Sequence, residues 1–140
     1  MVPDGRGEDR GTLLMVRIYL AIVGIVLISL AVLEIAQPLR TLEFWKGWIN
    51  HRLFFLHGVG LVILGFPFTC YNGSSAGKII FIIGVLIVLT GPIIILYADK
   101  VRSIFMRAIE EMSSATLRRM IYADAAVRLI VGALLVFSVI

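Results

Sequence analysis

The sequence is poor in the two residue classes that most often carry chemistry, cysteine and charged residues. It contains one cysteine, Cys70, and only 16% of its 140 residues are charged. A single cysteine excludes an internal disulfide and a cysteine-based metal cluster, and we interpret Cys70 as a small apolar residue near a helix end. Soluble domains have about 25% charged residues. Because 60% of this chain is hydrophobic, a soluble core cannot bury all of it, and lipid must face much of its surface.

The usual catalytic motifs are missing as well. The chain has no H-E-x-x-H, no P-loop, no G-x-S-x-G and no paired carboxylates within an apolar run. Ser113, Ser114 and Thr116 are better explained as a break between helices than as a nucleophile with its base. Dense basic tracts, which would favour a nucleic acid, are also missing. We therefore predict a protein that is not an enzyme, has no catalytic or metal-ligating residues and has no nucleic-acid partner.

What the sequence does contain is a set of long apolar runs. Residues 79–98 are twenty uncharged residues, about 30 Å of helix, which matches the hydrocarbon thickness of a bilayer. The N-terminus lacks the basic region and cleavage site of a signal peptide, so we expect the first apolar run to be retained. The prediction is an all-α integral membrane protein, with a flexible polar segment at 1–11, a single domain at 12–140 and two hairpins made of transmembrane helices at about 13–36, 51–68, 78–98 and 121–140.

The segments between these helices differ in length. Residues 38–49 form a short amphipathic connector, and residues 69–77, with the turn dipeptide Asn72-Gly73, form a tight loop. The connector at 99–120 is longer and keeps a helical pattern. It either projects from the membrane as a helical hairpin or lies on the surface. We favour projection, because Glu110 and Glu111 would be repelled by an anionic surface.

Basic and aromatic residues are concentrated in these two connectors. We predict that they contact lipid headgroups or a partner: Arg40, Trp45, Lys46, Trp48, Lys100, Arg102, Arg107, Arg118 and Arg119. The positive-inside rule then predicts cytoplasmic connectors at 36–52 and 99–124, with both termini outside. We expect the bacterial inner membrane as the location.

Small residues recur seven positions apart in every predicted helix, which favours close helix packing in lipid. The predicted packing positions are Gly24, Ala31, Gly58, Gly65, Gly77, Gly84, Gly91, Ala125 and Gly132. A weak internal repeat with an offset of sixty residues aligns 24–28 with 84–88 and Ile49 with Ile109. The two repeats would lie parallel, which argues against the inverted plan of many transporters.

Few polar residues fall within the apolar runs, and these are the candidates for function: Arg17, Glu34, His57, Asp124 and Arg128. Arg17 can extend to the headgroups. Asp124 and Arg128 are four residues apart and can pair on one helix face. Glu34 is a candidate for proton coupling. His57, flanked by Gly58 and Gly60, is a candidate ligand of haem or chlorophyll, although we expect no cofactor.

Three functions are compatible with this pattern. The one we favour is a non-catalytic accessory, assembly or anchoring subunit of a larger membrane complex, or a homo-oligomer, whose partners are lipids and other membrane subunits. A small four-helix transporter or channel is the first alternative. A haem- or pigment-binding membrane subunit that uses His57 is the second.

Overall fold

The computed structural model describes residues 6–71 and 75–140, and all regular structure within these ranges is helical. Three of the helices are long and apolar enough to cross a membrane, and a fourth span results if α2 and α3, which meet at 106°, are counted as one broken span. The six helices are α1 (Arg6–Ala36), α2 (Pro38–Asn50), α3 (Phe55–Thr69), α4 (Ser75–Leu96), α5 (Ala98–Glu111) and α6 (Ser114–Phe137).

The helix boundaries differ from the predicted ones in several places. α1 begins at Arg6, within the segment that we predicted to be flexible. α3 has 15 residues and begins at Phe55, after a turn, whereas we predicted a helix from residue 51. The predicted break before the last helix is present, and its cap is Ser113, whose hydroxyl accepts from the backbone N–H of Thr116 at 3.3 Å. The predicted turn at Asn72-Gly73 lies outside the described residues.

A single residue interrupts the helix in each half of the chain, at Gln37 and at Tyr97. Their backbone angles are similar, with φ −139° and ψ 63° at Gln37 and φ −122° and ψ 28° at Tyr97. The hydrogen bonds continue across both breaks, because each residue donates to the carbonyl four positions before it and accepts from the N–H four positions after it. Pro38 accounts for the break at Gln37, since a proline disfavours helical geometry in the residue before it.

The long helices pack as two antiparallel pairs, α1 with α6 and α3 with α4. This arrangement differs from the two hairpins predicted from chain order, because the first helix pairs with the last. Glycine explains the choice of partner. A Cβ atom on Gly24 would lie 2.8 Å from the carbonyl oxygen of Gly132, and one on Gly58 would lie 2.6 Å from that of Gly91. Only a residue without a side chain allows the two backbones to approach so closely.

The burial pattern reveals two interlocked repeats. In α1 and α2 the buried positions recur in α4 and α5 sixty residues later: 20, 24, 31, 34 and 49 match 80, 84, 91, 94 and 109. In α3 the buried positions recur in α6 sixty-seven residues later: 54, 58, 65 and 68 match 121, 125, 132 and 135. The first helix of each repeat therefore packs on the third helix of the other, in an approximate two-fold arrangement. The change of offset reflects seven additional residues between the second and third helices of the second repeat.

One end of the bundle is closed by apolar packing. Leu20, Phe68, Ile80 and Leu135 are at most 2% exposed and form a single cluster. The hydroxyl of Tyr19 donates to the Leu64 carbonyl at 2.8 Å, and the ring of Tyr19 packs edge-on against Phe68. We call this region the closed end.

The second connector lies against the first. α5 contacts α2 and α4, and Arg102 donates to the carbonyls of Ile49 at 2.9 Å and His51 at 3.2 Å, at the C-terminal end of α2. In the projecting hairpin that we favoured, Ile104, Phe105, Met112 and Met120 would pack between its two segments or onto a partner. Ile104 and Met120 are exposed, whereas Phe105 packs onto other helices of the chain. The physical reason is that α5 packs Val101 and Phe105 onto the cluster formed by Ile49, Phe54 and Ile94.

Candidate functional site

At the end opposite the closed end, the connectors and α1, α3 and α6 surround a cavity of about 390 Å³, which we call the connector cavity. Its volume is in the range of small-molecule sites in proteins. Most of its wall is apolar, with polar groups gathered on one side. The lining residues are Glu34, Thr41, Leu42, Trp45, Ile49, His57, Phe105, Ile109, Leu117, Met120, Ile121, Asp124 and Arg128.

Glu34 is the most deeply buried polar residue at this site. It lies in the last turn of α1, three residues after the buried Ala31, and so shares the face that packs on α6. Only 3% of the residue is exposed. One carboxylate oxygen, Oε1, lies 3.0 Å from Nη1 of Arg128. The other oxygen, Oε2, is buried and has no hydrogen-bond partner, which is a costly state for a charged group.

Arg128 is the centre of the polar cluster. Besides Glu34 it binds Asp124, one turn earlier on α6, with Nη2 donating to Oδ2 at 2.7 Å. Its guanidinium also lies over the ring of Trp45, 5.2 Å from the ring centroid, a cation–π geometry. Arg128 is largely buried, whereas half of the Asp124 side chain is exposed. The arginine therefore joins α6 to α1 through Glu34 and to α2 through Trp45, and its contact with Asp124 lies within α6.

The sequence predicted only part of this cluster. The spacing of Asp124 and Arg128 indicated a pair on one helix face, and the structure brings these two together. The pairing of Glu34 with Arg128 was missed, because it depends on α1 packing against α6. The sequence did carry a signal, because Arg128 is a charged residue within an apolar run, where a partner is expected.

Aromatic rings form the wall beside the polar cluster. Trp45 packs edge-on against His57, with ring centroids 6.1 Å apart, and His57 stacks on Phe54 at 5.9 Å. Trp48 stacks on the ring of His51 at 6.3 Å. Trp45 and Trp48, which we predicted to contact headgroups or a partner, are thus half-buried within the protein.

The packing of the His57 ring bears on whether it could ligate a haem or chlorophyll. Its ring is held between Phe54 and Trp45, close enough to Arg128 to interact electrostatically. Among the described residues there is no group of three or more His, Cys, Asp or Glu side chains that could hold a metal ion. A ring packed between aromatic neighbours and facing a cation does not fit an axial ligand of haem or chlorophyll, and we derive no function from such a pigment.

The approximate two-fold relation of the repeats shows that the ion pair is present at only one of the two helix pairs, that of α1 with α6. Glu34 corresponds to Ile94, Arg128 to Leu61 and Trp45 to Phe105. Ile94, Leu61 and Phe105 lie in a filled apolar cluster with Ile49 and Phe54. The same fold is therefore built without the ion pair at these three positions, while Asp124 corresponds to His57.

The other predicted contact residues lie mostly on the surface. Arg17 is exposed on α1, on the opposite side of the bundle midpoint from Glu34, and Lys46 is half-buried on α2. Arg102 donates hydrogen bonds to the carbonyls at the end of α2. The exposed basic residues of the connectors and the start of α6 are Arg40, Lys100, Arg107, Arg118 and Arg119.

Comparison with known proteins adds no assignment to this geometry. No protein-family model matches the chain, and no match was found among curated proteins or among solved structures.

Proposed function

We propose that the chain is a non-catalytic multi-pass membrane protein that acts as an accessory, assembly or anchoring subunit of a larger membrane complex, or as a homo-oligomer. The observation that supports this is the closed end, where Leu20, Phe68, Ile80 and Leu135 fill the space between the helix pairs. A transport path needs polar groups or water along its whole length. Here the ion pairs of the described residues are all at the connector end.

The exposed basic residues of the connectors favour an acidic partner. Arg107, Arg118 and Arg119 extend from the second connector and the start of α6, and Arg40 and Lys100 lie at the helix breaks. Such a surface attracts anionic headgroups or acidic segments of another subunit. We place it in the cytoplasm, in the inner membrane of a bacterium, with both termini outside.

Native mass spectrometry of the protein purified from its own membranes tests the accessory role. We expect an assembly heavier than the 15.5 kDa chain, made of further copies or of a reproducible partner. Reversing the charge of Arg118 and Arg119 to glutamate is expected to reduce the assembly, because it removes the basic surface. The matched control is Arg17→Glu, an exposed arginine away from the connectors. The proposal would be contradicted if only the monomer were detected, or if the two changes reduced the assembly equally.

The orientation is tested by Cys70, the one cysteine in the chain, which is exposed next to the closed end. If the connectors are cytoplasmic, a membrane-impermeant maleimide is expected to label Cys70 in intact spheroplasts. A Cys70→Ser variant with a new cysteine at Ser103, an exposed position on α5, provides the opposite control and should react only after permeabilisation. Labelling in the reverse order would invert the proposed topology.

A small transporter is the second candidate, and Glu34 is the observation that favours it. A buried carboxylate with one free oxygen beside a cavity is the arrangement expected of a proton-coupling group. Proteoliposomes with an imposed pH gradient distinguish the two candidates. The accessory role predicts the same rate of proton leak as in empty liposomes, and a leak that Glu34→Gln abolishes would favour the transporter.

A further inference from the structure

We propose that the connector cavity binds an amphiphile with a protonated primary amine, whose ammonium group occupies the position beside Glu34 and whose hydrocarbon part fills the apolar wall. This goes beyond the accessory role, because it assigns a ligand site to a protein for which a partner surface alone would suffice. The inference rests on four features: an unpartnered buried oxygen, the charge of the cluster, the apolar remainder of the cavity and the asymmetry between the two repeats.

The first feature is the free hydrogen-bonding capacity of Glu34. Its side chain is 4% exposed and lines the cavity. Oε2 has no partner within hydrogen-bond distance, although the indole of Trp45 lies near enough to the carboxylate to interact with it. A buried carboxylate oxygen without a donor forgoes the interactions that it would have in water. A ligand group that pairs with Oε2 must therefore be a hydrogen-bond donor and must reach this oxygen through the cavity.

The second feature is charge. Two carboxylates, Glu34 and Asp124, share one guanidinium, that of Arg128. With both carboxylates ionised, the cluster carries a net charge of −1, and its buried anion is Glu34, since half of the Asp124 side chain is exposed. A cationic donor satisfies both the charge and the open oxygen, and a compact ammonium group has three donors to offer.

The third feature is the apolar remainder of the cavity. Leu42, Ile109, Leu117 and Met120 contribute to a mostly apolar wall, in which Thr41 and His57 are the polar side chains outside the cluster. A hydrophilic amine would leave this wall exposed to water, whereas an aliphatic chain of the ligand would cover it.

The asymmetry of the repeats argues against a purely structural role for the cluster. At the equivalent positions Ile94 and Leu61 fill the space with apolar side chains. Replacing a buried ion pair with packed apolar residues is often neutral or stabilising. A polar cluster that the fold does not require, placed at an open cavity, is the arrangement expected of a binding site.

Tryptophan fluorescence tests the proposal, because Trp45 lines the cavity. The chain has two tryptophans, so a Trp48→Phe variant makes Trp45 the sole reporter. In phosphatidylcholine nanodiscs at pH 7, dodecylamine is expected to give a saturable change in Trp45 fluorescence. Dodecanol, which has the same chain without the charge, should bind about tenfold more weakly or less. Equal affinities for the two compounds, or no saturable change with the amine, would overturn the proposal.

Two variants locate the binding. Glu34→Gln keeps the shape and removes the charge, and it is expected to abolish the preference for amine over alcohol. Glu43→Gln removes the same charge from an exposed position on α2 and should leave the preference intact. Because Glu34→Gln could disturb the fold, Leu117→Phe provides a second variant that fills the cavity and leaves the charges unchanged. This variant should weaken the binding of both dodecylamine and dodecanol. Undiminished binding in this variant would place the ligand elsewhere.

The source of the amine is distinguished by the lipid. If the natural ligand is the ethanolamine headgroup of a membrane lipid, nanodiscs that contain phosphatidylethanolamine should block dodecylamine. If it is a free amphiphilic amine, the affinity for dodecylamine should be the same in both kinds of nanodisc. Either result supports an ammonium site, and the comparison identifies which molecule fills it.

Discussion

Replacing Arg128 with leucine is expected to lower the free energy of unfolding by about 3–5 kcal/mol, the cost of leaving a buried charge without its partner. Glu34 is the group left behind. It is 3% exposed and has Arg128 as the only ion-pair partner that the described residues provide. The substitution also removes the cation from the face of Trp45. Denaturant titration of the protein in mild detergent, followed by circular dichroism, measures the effect.

Two control variants separate this effect from the general loss of an arginine. Arg119→Leu removes an exposed cation from the same helix and should change stability by less than about 1 kcal/mol. Asp124→Ala removes the half-exposed carboxylate and should cost about 0–1 kcal/mol, as for other solvated pairs. If Arg128→Leu is as mild as these two, Glu34 is not a buried charge that depends on Arg128.

Replacing Gly58 with alanine is the second change with a large expected effect, a loss of about 1–3 kcal/mol. The new methyl group would lie 2.6 Å from the carbonyl oxygen of Gly91 and 2.8 Å from the side chain of Ile95. The contact with the carbonyl cannot be relieved by rotating a side chain, so α3 and α4 must move apart along their length.

Gly60 provides the matched control, two residues further along the same helix. A Cβ atom built there has nothing within 4 Å. Gly60→Ala should therefore be neutral or should stabilise the helix by about 0.5–1 kcal/mol, the usual gain on replacing an unstrained glycine. Thermal unfolding of the two variants, measured side by side in the same detergent, gives the comparison. Equal losses at both positions would mean that α3 and α4 do not meet at Gly58.

Helix positions could be predicted from the sequence because a helix that crosses lipid must be a long, mostly apolar run. The apolar runs, the amphipathic connectors and the break at Ser113 all correspond to features of the structure. The small residues seven apart, such as Gly84 and Gly91, lie buried where helices cross. Helix partners could not be predicted, because every helix carries such a face and the spacing alone does not say which two faces meet. The chain order suggested hairpins, and the matching of Gly24 with Gly132 decided otherwise.

The candidate site shows the same limit. Glu34, His57, Asp124 and Arg128 could each be selected from the sequence, because polar residues in apolar runs are rare. Their roles depended on tertiary contacts. Trp45 was predicted to contact lipid headgroups or a partner, because amphipathic aromatic segments favour the membrane interface, and its contact with Arg128 within the chain was not foreseen. Trp45 lies under Arg128, because α2 is held against the rest of the bundle by Arg102. The repeat at an offset of sixty was visible, but the seven additional residues in the second half hid its continuation through the last helix.

The stability of the double variant Glu34→Ile with Arg128→Leu is the most direct test of the central claim, that the polar cluster serves binding and not the fold. These substitutions copy the residues found at the equivalent positions of the other repeat, Ile94 and Leu61. We predict that the double variant unfolds at the same denaturant concentration as the unmodified protein or at a higher one, although Arg128→Leu alone is strongly destabilised. A double variant that is as unstable as Arg128→Leu would contradict the account, because the fold itself would then require the polar cluster.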